Sequence, residues 1–139
     1  MALDKYANFT EALLTDALPN MSTATVNCML LDSTHTPAPN VDTTVADVSG
    51  DEVSGTGYTA GGEAVSDVGV SRSGAVTVLE GDDAVWPNST ITARYAVVYE
   101  DSTDLLIGIG DFGADEESSD GEFRVNFTAN ELVEFTSNP

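Results

Sequence analysis

Lysine and arginine are nearly absent. Four basic residues, Lys5, Arg72, Arg94 and Arg124, stand against 24 aspartates and glutamates in 139 residues. No basic stripe exists to release counterions from phosphates, which excludes direct nucleic-acid binding. The single cysteine, Cys28, excludes an intrachain disulfide and a cysteine-rich metal site. It lies inside an apolar run, where a free cysteine acts as a small buried hydrophobe. The single histidine, His35, sits in a Thr/Pro loop with no acid–base partner nearby in sequence. No run approaches the roughly 20 apolar residues of a membrane span. The N-terminus has no basic stretch leading into an apolar one, so neither a cleaved signal peptide nor a membrane partner is expected. Nucleophile-elbow, phosphate-loop and dinucleotide motifs are also missing, and catalysis is not expected.

What is present is acid. The formal charge is −20, and the acids run along the whole chain, with Asp exceeding Glu and threonine abundant. At low ionic strength such crowding repels itself and weakens the compact state. At molar salt the screening length falls to about 3 Å and the same surface is tolerated. The composition reads as adaptation to very high salt; an ordinary acidic protein, or one whose acids bind calcium, is the alternative. Recurrent Leu, Val, Ile and aromatic residues argue against disorder. The length suits one soluble domain, residues 1–139.

The spacing of Leu3, Tyr6, Ala7, Leu13, Leu14, Ala17 and Leu18 predicts an amphipathic N-terminal helix over about residues 3–18, ended by Pro19. Strands are predicted from about residue 25 to 135. Thr25 to Leu31 is β-rich, and Val41 to Val48 is a second extended candidate. Ser49 to Gly62, with five glycines, reads as a loop around Tyr58. Ala64–Val70 and Ala75–Leu79 form a candidate hairpin about Ser73-Gly74, with Val65 and Val76 in the core. Ile91 to Tyr99 is the strongest strand. Simple alternation places Ile91, Ala93, Tyr95, Val97 and Tyr99 on one face and Arg94, Ala96 and Val98 on the other, as in a central strand. Leu105–Phe112, Gly121–Phe127 and Leu132–Phe135 follow. The predicted fold is mainly β: an antiparallel, jelly-roll-like sandwich of about eight strands with the helix packed outside.

Asp115, Glu117, Asp120 and Glu122 form a hard-oxygen cluster and are calcium candidates. They miss the EF-hand pattern, since Phe127 falls where the bidentate glutamate belongs. Glu80, Asp82 and Asp83 are a second cluster, and a solvated acidic turn accounts for either. Apart from calcium, no cofactor is expected. Asn-x-Ser/Thr sequons begin at Asn8, Asn20, Asn88 and Asn126, of which Asn88, expected in a turn, is the plausible acceptor. Most aromatic residues are expected in the core. Tyr58 and Trp86, and Tyr6 and Phe9 on the helix, are interface candidates.

Several short motifs then occur in a telling order. Met1-Ala2-Leu3 with Phe9-x-Glu11-Ala12-Leu13 is followed by a strand ending in a Pro-containing loop, Val26 to Pro39. Next come Thr44-Val45-Ala46-Asp47-Val48 and Gly57-Tyr58-Thr59-Ala60-Gly61-Gly62, the most specific of the set. Asp83-Ala84-Val85-Trp86, Ala93-Arg94-Tyr95-Ala96-Val97-Val98-Tyr99, Leu106-Ile107-Gly108-x-x-Asp111-Phe112-Gly113 and Gly121-Glu122-Phe123-x-Val125-x-Phe127 complete it. Over nearly its whole length the chain resembles the small virion structural proteins of tailed bacteriophages, with acids replacing the lysines of the bacterial members. The resemblance implies a head-associated capsid decoration or minor capsid protein, in a version from a tailed virus of halophilic archaea. Its partners would be the major capsid protein and copies of itself, as a homotrimer or homopentamer. Its place would be the head exterior of a virion built in a cytoplasm of high internal salt. A tail or head–tail connector protein, and a calcium- or glycan-binding β-sandwich adhesin, are the alternative readings.

Overall fold

The segment with apolar residues on both sides becomes the buried strand of the main sheet. A computed structural model describes residues 1–137. In chain order the elements are β1 (Asp4–Lys5), α1 (Ala7–Leu14), β2 (Val26–Leu31), α2 (Val45–Val48), β3 (Glu63–Ala64), β4 (Gly69–Ser73), β5 (Val76–Glu80), β6 (Ala84–Ser89), β7 (Thr92–Glu100), β8 (Leu106–Glu117), β9 (Gly121–Val125) and β10 (Glu131–Thr136). One sheet runs β1-β8-β7-β2-β3, a second β10-β5-β4, and β6 pairs with β9; every pairing is antiparallel. β1 and β3 are two-residue edge pieces, which leaves eight strands of five residues or more among the described residues.

The five-stranded sheet buries both faces. On one side Val26, Cys28, Leu30, Ala96, Val98 and Ile107 meet Leu79, Leu132, Trp86 and Phe123 from the two smaller sheets, with Phe9 and Ala12 of α1 in the same cluster. This is the sandwich core. On the other side Met29, Leu31, Tyr95, Val97, Tyr99, Leu106 and Ile109 are covered by Tyr6, Val45 and Val48. Two buried faces explain why β2 and β7 read as nearly continuous apolar runs rather than alternating ones.

Four expectations are corrected. The helix is limited to Ala7–Leu14, because Asp4 and Lys5 pair with Ile109 and Gly108 as an edge strand. Gly108 and Gly110 make room for that segment: a Cβ at either would crowd Leu3, and at Gly110 also Met1. Val41–Val48 is not extended. The Asp47 carboxylate accepts the Thr43 and Thr44 amides at 2.9 and 3.1 Å, and this capping arrangement starts α2. The hairpin forms by β4 and β5, but Ser73 pairs with Val76, so the turn is Gly74-Ala75 and residues 64–68 lie outside β4; Val65 is buried and Val76 half-buried. Finally, strict alternation fails in β7. Ala93 pairs with Glu116 and Tyr95 with Asp111, so residues 112–115 of β8 face Arg94 alone. Across this bulge Ile91 and Ala93 join the sandwich core, whereas Tyr95, Val97 and Tyr99 face the opposite one.

Candidate functional site

The glycine-rich loop has a defined internal structure. Glu52 bridges to Leu31 at the end of β2, which places its carboxylate under the loop. Its Oε1 accepts the Tyr58 hydroxyl at 2.7 Å and the Gly61 amide at 2.6 Å. The Tyr58 oxygen in turn accepts the Leu30 amide at 3.0 Å, and Tyr99 donates its hydroxyl to the Gly61 carbonyl at 2.6 Å. The half-buried Tyr58 ring stacks on Trp86 with centroids 5.8 Å apart. Burial, foremost, holds the Tyr58 phenol well above its ordinary range. Gly62 has φ +82°, and a Cβ there would collide with the Cys28 carbonyl oxygen. One carboxylate oxygen, two phenols and two main-chain amides are linked in this network, which fixes the loop.

His35 does have a partner, distant in sequence. Its Nδ1 lies 2.9 Å from Asp51 Oδ2, and its ring meets Tyr95 edge-on at 5.7 Å. Thr34 also donates to Asp51. The His35 Nε2 and the Tyr6 hydroxyl are buried and without hydrogen-bond partners. A histidine–carboxylate pair activates a nucleophile only when the free ring nitrogen reaches one. Here that nitrogen faces the interior behind a side chain 3% exposed. Asp42 completes this cluster: burial and the charge of Asp47 raise its pKa against the opposing pull of His35. The thiol of Cys28 is fully buried, which pushes it up to about 12.

Some acids of the two candidate clusters have partners within the chain, and the others are exposed or, for Asp82, half-buried. Asp83 accepts from Arg124 at 3.1 Å, Asn126 at 3.3 Å and the Phe127 amide at 3.1 Å, fastening the end of β9 to the start of β6. Glu122 pairs with Arg124 at 2.7 Å. Asp115 and Glu117 are exposed on β8, and Asp120 is exposed in the following turn. Among the described residues, no three His, Cys, Asp or Glu side chains gather as a metal site.

Of the interface candidates, Tyr6, Phe9 and Trp86 are 0%, 1% and 0% exposed. They belong to the protein's own cores and are not offered to a partner, a correction to the expectation. Tyr58 is engaged as above. Asn88, expected in a turn, lies exposed within β6. The large apolar side chains that do reach the surface among the described residues are Leu13, Leu14, Val41 and Val70.

The sequence reading missed three anchoring carboxylates: Glu52, Asp51 and Glu100. Glu100, at the end of β7, is buried and accepts both the amide and the hydroxyl of Ser102 and of Thr103, at 2.7–3.0 Å. The run Glu100-Asp101-Ser102-Thr103 after a strand carries that signal, because short hydroxyl side chains return to a nearby carboxylate in turns. His35 and Asp51 carry none, since sixteen residues separate them.

No known family model matches this chain, nor does any curated protein or solved structure.

Proposed function

We propose that this chain is a virion structural protein, a capsid decoration or minor capsid component that stabilises the head of a tailed virus adapted to high salt. One observation carries the reading: the motifs behind the resemblance are the residues that frame the sandwich. Gly57–Gly62, the most specific of them, is locked by Glu52 and Tyr99. Ala93–Tyr99 is the central strand, and Gly108 seats the N-terminal segment. A resemblance concentrated in framework residues suits a protein whose work is to be a rigid block. The acidic composition supports the salt adaptation.

The mechanism is cementing. A rigid β domain placed across seams between shell subunits buries area on each, and separating the subunits then requires breaking those contacts as well. Copies repeated over a symmetric shell multiply the effect. In brine, long-range charge steering is screened, so attraction rests on apolar and hydrogen-bonded contacts.

The test is addition of purified protein to head shells lacking it, at molar KCl, followed by sedimentation. Saturable binding to shells is expected. Binding to tails or necks instead would move the chain to the connector class, and binding to no particle would withdraw the virion reading.

A further inference from the structure

Between α1 and the β10-β5-β4 sheet lies a groove of about 190 Å³. Its walls include Phe9, Leu13, Met21, Val70, Leu79 and Phe135, and no charged side chain lines it, in a chain with 24 acids. The two side-chain cations without a carboxylate partner among the described residues stand near it. Lys5 places its ammonium 4.5 Å from the Phe135 ring centroid. Arg72 follows Val70 by two residues on β4, hence on the same face of that strand. The other two cations are committed, Arg94 to Asp111 and Arg124 to Glu122 and Asp83. Lys5 donates to the Glu134 carbonyl and Arg72 to the Gly74 carbonyl, so neither charge is neutralised. The surface thus combines apolar walls with positive charge that no carboxylate balances, and its complement is an apolar side chain flanked by carboxylates.

The chain carries such a complement beside the groove itself. Leu14 at the end of α1 is 84% exposed, the most exposed large apolar side chain described. Glu11 and Asp16, both exposed, lie three residues before and two after it. Leu14 follows Leu13, which is a wall of the groove, so knob and hole belong to one patch. A two-fold contact requires this self-complementarity. We propose that two copies of this chain pair through this patch, each seating Leu14 in the other's groove with Glu11 and Asp16 against the partner's basic rim. Chains of charge −20 repel one another at low salt. Screening at molar salt removes that repulsion while the apolar contact remains, so pairing strengthens as KCl rises.

The inference stands apart from the virion reading, because association in solution is measurable whether or not the protein joins a particle. Sedimentation equilibrium of the full chain at low and molar KCl is the experiment, with Leu14→Asp and Arg72→Glu beside the unsubstituted protein. The unsubstituted chain should pass from 14.5 kDa towards twice that mass as concentration and KCl rise. Leu14→Asp should weaken association about tenfold or more, since Leu14 lies at the centre of the contact; Arg72→Glu, at the rim, should weaken it less, and most visibly at the lower salt concentrations. Both side chains are exposed, so circular dichroism should be unchanged. A chain that stays monomeric throughout leaves the groove to a foreign segment and overturns the proposal. So does a dimer indifferent to both substitutions.

Discussion

Tyr58 donates its hydroxyl to Glu52 at 2.7 Å, and the same oxygen accepts the Leu30 amide at 3.0 Å. One side chain thereby satisfies a carboxylate from the loop and a main-chain donor from β2. Stacked on Trp86, the ring carries this polar link over the sandwich core.

Tyr58→Phe keeps the stacked ring and removes only the oxygen. The Leu30 amide then loses its acceptor and Glu52 a donor, which costs about 1–3 kcal/mol. Urea unfolding should show a lower midpoint with an unchanged slope. A midpoint equal to that of the unsubstituted protein would show that the link does not hold the loop.

Two glycines separate backbone strain from collision. Gly74 has φ +60° in the hairpin turn with open space around it, whereas Gly62 combines φ +82° with a carbonyl oxygen in the way. Gly74→Ala should cost about 1 kcal/mol for its left-handed conformation. Gly62→Ala should cost clearly more, because the loop must also move off β2. Thermal unfolding of both variants checks the order, and equal losses would contradict it.

Glu100 sets a pH dependence. Burial raises its pKa, but the hydroxyls and amides of Ser102 and Thr103 outweigh it, and the net shift is downward. A carboxyl lowered on folding contributes stability that is fully present above its unfolded value, about 4.3, and lost as pH falls through the folded value. Glu100→Gln should therefore unfold at a lower temperature than the unsubstituted protein at neutral pH, with the gap narrowing on acidification. Curves that stay parallel down to acid pH would exclude the carboxylate as the cause.

Salt dependence follows from the charge of −20. Raising KCl from low to molar concentration should raise the melting temperature, as screening relieves repulsion among exposed acids. The Arg94–Asp111 and Arg124–Glu122 pairs are exposed and weaken with salt, a smaller opposing effect. A flat or falling melting temperature would remove the adaptation to brine.

The sandwich was legible where periodicity and burial agree. β2, β7 and β5 fall where their patterns place them, whereas the first strand of the hairpin is shifted towards the turn. The helix was overextended because Leu3 and Tyr6 fit a helical period, while the glycines of β8 recruit Asp4 and Lys5 into a strand. Thr44-x-x-Asp47 was a readable capping signal outweighed by the β-branched residues around it. The bulge at Arg94 depends on what β8 does opposite, which the local pattern of β7 does not contain. Tyr6, Phe9 and Trp86 were correctly aromatic core by pattern, and only their reading as interface anchors failed. The Asp51 contact joins separate loops, and the Glu52 contacts close a single loop across six and nine residues; neither leaves a local trace.

The most direct test of the virion role is imaging of purified particles assembled with and without this protein. The proposal predicts density lost from the outer surface of the head and shells that break more readily. Density lost from the neck or tail, or particles unchanged in every part, would contradict it.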